Sequence, residues 1–199
     1  MPTLWTSEST KEWRAALDAY ASVVDAQGVA RLPELERWYR DDFPRAIAAR
    51  RPAHVTHEEL VRVTEWKMAR GIFRPRNLVL VRGNPAGAVE KTSTAALAAI
   101  PDDRRPIALL AELAGVGPAT ASAVAAAAAP DVYPFFDELV AAQVPGLGPV
   151  AFTPAYYARY AAALRDRARR LGGAWTPASV EQALWAFVGG KAGAKKGSE

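Results

Sequence analysis

The chain has 199 residues, half of them hydrophobic and 23% charged, with a formal net charge of +4. That length can bury a real core in one domain or two, and the positive excess has the sign that suits a polyanionic partner. There is no cysteine, and His54 and His57 are the two histidines, which excludes disulfides, thiolate catalysis, zinc fingers and iron–sulfur clusters and leaves a histidine metal site dependent on carboxylates.

No run approaches the ~18 apolar residues of a membrane helix. Met1-Pro2-Thr3-Leu4-Trp5-Thr6 has neither the basic start nor the apolar core of a secretion signal. A cytoplasmic protein without a membrane partner is expected, nucleoid-associated if bacterial. Ser9-Thr10-Lys11-Glu12 reads as a capping box opening a helix with Trp13, Leu17, Tyr20 and Val24 on one face, ended by Gly28. Pro33 opens a second helix carrying Leu35, Trp38 and Tyr39; Pro44 stops or kinks it, and Ile47 lies in the continuation. Thr56-His57-Glu58-Glu59 is a second capping box, leading into a helix closed by Gly71.

Pro75 starts the next helix, with Leu78, Val79 and Val81, and Gly83-Asn84-Pro85 breaks it. Leu78–Val81 is the best strand candidate in the chain, but Pro75 and the flanking pattern favour a helix. Residues 86–99 are helical and Ala-rich, and Asp102 or Asp103 can cap the helix that follows. Phe135 to Val144 reads as a short helix before a Pro/Gly-rich loop. Pro154 opens a long helix with Tyr157, Tyr160, Leu164 and Leu171 on one face, and Thr176-Pro177 the last, with Val180, Leu184 and Phe187 buried. Arg165, Arg167, Arg169 and Arg170 read as a solvated face. The expectation is an all-α protein of nine or ten helices, one globular unit over 1–188, followed by an unstructured basic tail at 189–199.

Leu113-Ala114-Gly115-Val116-Gly117-Pro118-Ala119-Thr120-Ala121 joins two helical patterns with no room for an ordinary loop. Gly115 and Gly117 supply backbone freedom, Pro118 suits a first helical turn, and uncovered amides at a helix N-terminus suit a phosphate oxygen. A Gly-rich turn between two core helices has the same composition. Further on, Phe136-Asp137-Glu138-Leu139-Val140 places a carboxylate at the start of the next helix, with Asp137 following Ala119 by 18 residues. The two stretches together resemble the helix-hairpin-helix DNA glycosylase superfamily, which pairs such a hairpin with an essential Asp at that separation. The resemblance is clear over about 105–140 and extends more weakly over 56–105.

It implies a helical fold of two lobes with a cleft between them, the hairpin core at about 56–144 and a second lobe from 1–55 plus 150–188. It implies a monomer that binds double-stranded DNA, with Gly115, Val116, Gly117 and Thr120 on a phosphate. Asp137 would stabilise an oxocarbenium-like sugar and orient the attacking water while a damaged or mispaired base is excised. Neither metal nor cofactor is required. Ala119 stands where bifunctional members carry a nucleophilic lysine, so strand cleavage is not expected unless Lys67 or Lys91 substitutes. The alternative is a catalytically inactive DNA-binding or scaffold protein of the same fold.

Trp66-Lys67-Met68-Ala69-Arg70-Gly71-Ile72-Phe73-Arg74-Pro75-Arg76-Asn77 is dense in cations and aromatics at a helix–loop–helix corner. It is similar to an uncharacterised bacterial and fungal branch of that superfamily. By order of elements it implies a wedge at Phe73 or Arg74, phosphate contacts from Arg70, Arg74 and Arg76, and a pocket wall at Trp66 and Lys67. A buried Trp under solvated arginines would read the same way.

Overall fold

A computed structural model describes residues 3–196, which form helices, turns and loops with no strand among them. A 3-10 turn (Leu4–Thr6) precedes α1 (Thr10–Asp18) and α2 (Tyr20–Asp25). Ser9 caps α1 by accepting the Glu12 amide at 3.3 Å. The Glu12 carboxylate turns instead to Ser7 Oγ at 2.6 Å, so the expected box stays open. Between α3 (Leu32–Arg37) and α4 (Phe43–Ala49) lies a π turn, Trp38–Asp42. Pro44 explains it: it has no amide hydrogen for the Arg40 carbonyl, and Phe43 N–H reaches back to Trp38 O.

α5 (His57–Arg70) begins at a complete capping box, with Thr56 Oγ1 accepting Glu59 N–H at 3.2 Å and the Glu59 carboxylate accepting Thr56 N–H at 2.9 Å. α6 (Pro75–Arg82) contains Leu78–Val81, which is therefore helical. α7 (Ala86–Ala98) leads to α8 (Arg105–Leu110), where Asp102 accepts the Arg104 and Arg105 amides at 2.8 and 2.7 Å. α9 (Pro118–Ala128), α10 (Glu138–Ala141), α11 (Pro154–Leu171), α12 (Pro177–Phe187) and α13 (Gly190–Lys196) follow. No helix among the described residues is long and apolar enough to cross a membrane.

Most of the buried apolar side chains form one cluster running from Leu4 to Ala186. α12 packs on α1, α2 and α11, while α9 packs on α4, α5 and α8. Every residue of α9 from Ala119 to Ala127 is buried. Its small side chains combine high helix propensity with close approach of neighbours, so it can thread the centre of the molecule.

Several local expectations are corrected by tertiary contacts. Phe135 and Phe136 are not helical, because their backbone is bonded elsewhere: Tyr160 Oη donates to Phe135 O at 2.7 Å, and Phe136 N–H donates to Ser122 Oγ at 2.9 Å. The helix there is the single turn α10. Phe187 is 46% exposed in the last turn of α12. Arg167 is buried, with Nη2 donating to Trp5 O at 2.7 Å and Nη1 3.3 Å from Glu8. The expected unstructured tail forms α13, secured by Gln27, which donates to Gly189 O at 3.1 Å and accepts Ala192 N–H at 2.9 Å. Residues 197–199 of that tail lie outside the described residues.

Candidate functional site

The hairpin is α8, the turn and α9. Gly115 sits at φ +75°, and a Cβ there would lie 2.5 Å from Asn77 O and 2.9 Å from Val81 N. Only glycine fits this contact between the turn and α6. Gly117 has φ −100° and open space where a Cβ would be. Its lack of a side chain leaves backbone uncovered rather than relieving strain. Asn84 locks the turn from α6's end: its amide donates to Ala114 O and accepts Ala114 N–H, both at 2.9 Å. Among the described residues the amides of Gly115, Gly117, Ala119 and Thr120 have no acceptor. Val116 does not join them, because its N–H donates to Leu113 O at 3.1 Å. The Val116 and Thr120 side chains are buried.

Asp137 caps α10, its Oδ1 accepting Leu139 N–H at 2.8 Å. The segment before it is pinned by three hydrogen bonds, to Ser122 of α9 and to Tyr157 and Tyr160 of α11, with Tyr157 Oη donating to Pro134 O at 3.1 Å. Asp137 is 8% exposed and lines a cleft of about 160 Å³ with Lys67, Phe136, Glu138 and Phe152. A second cleft of about 250 Å³ holds Gly117, Pro118 and Thr120. Lys67, Arg74, Ala119 and Phe152 line both. The carboxylate and the first turn of α9 therefore line adjoining clefts that share a wall. Lys67 makes no hydrogen bond or ion pair among the described residues. Burial lowers its pKa from the ordinary value, with Arg74 adding repulsion and Glu138 opposing it.

Beneath the cleft lies a buried charge cluster. Arg70 Nε is 3.9 Å from Asp137 Oδ2, and its Nη2 is bonded to Glu181. Glu36 accepts Tyr20 Oη at 2.7 Å, Trp66 Nε1 at 2.6 Å and Arg40 Nε at 2.7 Å. Three carboxylates thus face two guanidiniums. Burial alone would raise the Glu36 pKa, but Arg40, Arg70 and the two hydrogen bonds together hold it below its ordinary value. Burial wins at Glu181 and pushes it up to about 7 against Arg70 and Arg40. Its Oε2 has no hydrogen-bond partner. One proton on Glu181 would balance the cluster's charge.

The expected site residues therefore divide. Asp137, Lys67 and Arg74 meet in the cleft, beside the Gly117–Thr120 turn. Phe73 and Arg76 are exposed on the α5–α6 corner and line neither cleft, with Phe73 64% exposed. Arg70 and Trp66 are corrected. The Arg70 side chain is fully buried, with Nη2 bonded to Glu181, and at that depth cannot reach a DNA phosphate. Trp66 is fully buried, stacked on Tyr39 with centroids 3.6 Å apart, and does not line the cleft. Lys91 is exposed on α7 and lines neither cleft.

The sequence reading missed Phe136, Phe152 and Lys191 as cleft residues. Phe136 had a signal, since it directly precedes Asp137. Lys191 had none, because its place depends on Nζ donating to Gly71 O at 2.6 Å across the molecule. It also missed Glu36 and Arg40, spaced as an i, i+4 ion pair, and Glu181, a carboxylate on the apolar face of α12. Among the described residues no three His, Asp or Glu side chains gather as metal ligands. No protein-family model, curated protein or solved structure matches the chain.

Proposed function

We propose that this chain is a DNA-binding protein of the helix-hairpin-helix glycosylase type. It hydrolyses the N-glycosidic bond of a damaged or mispaired base and does not incise the strand. In this reading the fold is two helical lobes about the two clefts, with α8, α9 and α10 in the hairpin lobe. The observation that carries it is the shared wall of the two clefts: Lys67, Arg74, Ala119 and Phe152 connect the free amides of α9 to the Asp137 carboxylate.

The chemistry asks little of the protein. Free amides at the N-terminus of α9 would hold a backbone phosphate. A nucleotide turned out of the stack would enter the Asp137 cleft, its base against the exposed Phe152, which the buried Phe136 backs. As the bond to the base breaks, positive charge develops on the sugar, and the carboxylate stabilises it while orienting water toward C1′. Ala119 supplies no amine, so no imine with the sugar forms there.

The test is release of free base from duplexes carrying a panel of single lesions. Asp137→Asn keeps an oxygen for Leu139 N–H, so the cap survives. Base release should fall by about 10²–10³-fold, with DNA affinity changed less than about threefold. Borohydride added to the same reactions on abasic duplex should trap no adduct, and an adduct lost in Lys67→Gln would move lyase chemistry to Lys67. The second reading, a silent DNA-binding or scaffold protein, is favoured by one observation: both Asp137 oxygens already face protein partners. Binding without release of any base would establish it.

A further inference from the structure

We propose that the Asp137 cleft selects an uncharged or anionic base presenting carbonyl oxygens and rejects a base carrying positive charge, with Lys67 as the reading group. This deepens the glycosylase reading and rests on its placement of a turned-out base in the cleft.

Among the free polar groups of the cleft, hydrogen-bond donors outnumber acceptors. Lys67, Arg70, Arg74 and Lys191 line it, against two carboxylates, Asp137 and Glu138. Their commitments differ. Asp137 is turned to Leu139 N–H and Arg70, whereas the Glu138 carboxylate, like Lys67, has neither a hydrogen bond nor an ion pair among the described residues. Arg70 is bonded to Glu181 and Lys191 to Gly71 O. Lys67 and Arg74 alone among these cations have neither a hydrogen bond nor an ion pair among the described residues. An ammonium has three donors and no acceptor, so it can bond to a base carbonyl or ring nitrogen and has nothing to offer a protonated edge. Its partial burial strengthens both effects, since a like charge entering a cleft with little water is screened poorly.

The rings lining the cleft point the same way. A cationic base is best held by electron-rich rings, with Trp the strongest partner. Here the lining rings are Phe135, Phe136 and Phe152. Trp66 and Tyr39 are stacked on one another in the core, and Arg40 already lies 4.9 Å from the Tyr39 centroid. Phe152 is 46% exposed, with its centroid 5.2 Å from that of Phe136, and offers a face for stacking without regard to charge. The cleft thus has apolar walls for any base and a cationic end that discriminates among them.

The experiment compares bases alike in shape and unlike in charge. Duplexes carry one 2′-fluoro nucleotide, which blocks glycosidic cleavage, bearing 7-methylguanine (cationic), 7-methyl-7-deazaguanine (its neutral isostere) or hypoxanthine. Affinities of the full chain are read by fluorescence anisotropy at one fixed ionic strength. The two neutral bases should bind about tenfold more tightly than the cationic one. Lys67→Met should cut that ratio below about threefold and Lys67→Arg should restore it. Equal affinity, or preference for the cationic base, overturns the proposal. A ratio unchanged in Lys67→Met overturns the role of Lys67. Retained selectivity without base release from ordinary nucleotides supports the proposal while removing catalysis. Failure to bind every duplex overturns this proposal and the DNA reading together.

Discussion

Glu181 shows how far a residue's role can lie from its local pattern. It sits on the apolar face of α12 beside Val180 and Leu184, yet it anchors Arg70, which in turn backs Asp137. Its pKa is raised from the ordinary 4.5 to about 7 by burial. The folded protein therefore holds a proton there that the unfolded chain has already lost between those values. Stability from this group is fully present below about 4.5 and falls as pH rises through about 7. The swing should be on the order of 3 kcal/mol, read from urea unfolding at stepped pH, and Glu181→Gln should flatten it. Glu36 works the other way: with its pKa lowered, the stability it contributes is lost as pH falls through its folded value. A profile in which stability rises between pH 5 and 7 in the wild type and is unaltered by Glu181→Gln would contradict this account.

At the scale of elements, the hairpin is held by two devices that can be removed separately. Gly115→Ala would drive a methyl group into Asn77 O and strain a left-handed backbone, at a cost of roughly 1–3 kcal/mol. Asn84→Ala would strip both bonds from Ala114, at about 1–3 kcal/mol. Both should weaken DNA binding more than they lower the melting temperature of the rest of the fold, which paired calorimetry and anisotropy would compare. Losses confined to global stability would mean that the turn is scaffolding alone.

The same scale shows what was legible beforehand. Thr56, Pro75, Pro154 and Thr176-Pro177 each announce a helix start by chemistry confined to one turn, and each starts one. Asp137 was legible because its place relative to the hairpin is a matter of chain distance. The segment before it was not, since Ser122, Tyr157 and Tyr160 override its helical pattern from two other helices. Arg70 and Arg167 read as surface cations because their partners, Glu181 and Trp5, are distant in sequence. Periodicity reports which face is apolar, and it cannot report that a charge has found its counter-charge inside.

At the scale of the whole molecule, α13 closes the ring of contacts from the first helices to the cleft. Gln27 follows α2, and Lys191 reaches Gly71 at the end of α5. Ending the chain after Val188 should leave the core folded, cost about 1–2 kcal/mol for the lost polar contacts, and widen one side of the cleft. Urea titration together with quenching of tryptophan fluorescence would check this, and an unfolded truncation would make α13 part of the core.

The tight seat of Gly115 on α6 has one more effect. With no room for a Cβ between turn and helix, the hairpin is seated directly on α6, the helix whose N-terminal corner carries Phe73 and Arg74. For the DNA proposed to lie across hairpin and corner, the gap between the gripped phosphate and the inserted side chain is decided before the duplex arrives. Under that proposal the duplex would bend to fit. Flexible steps flanking the target would be entered more readily than stiff A-tracts, a preference that affinities across flanking sequences would measure.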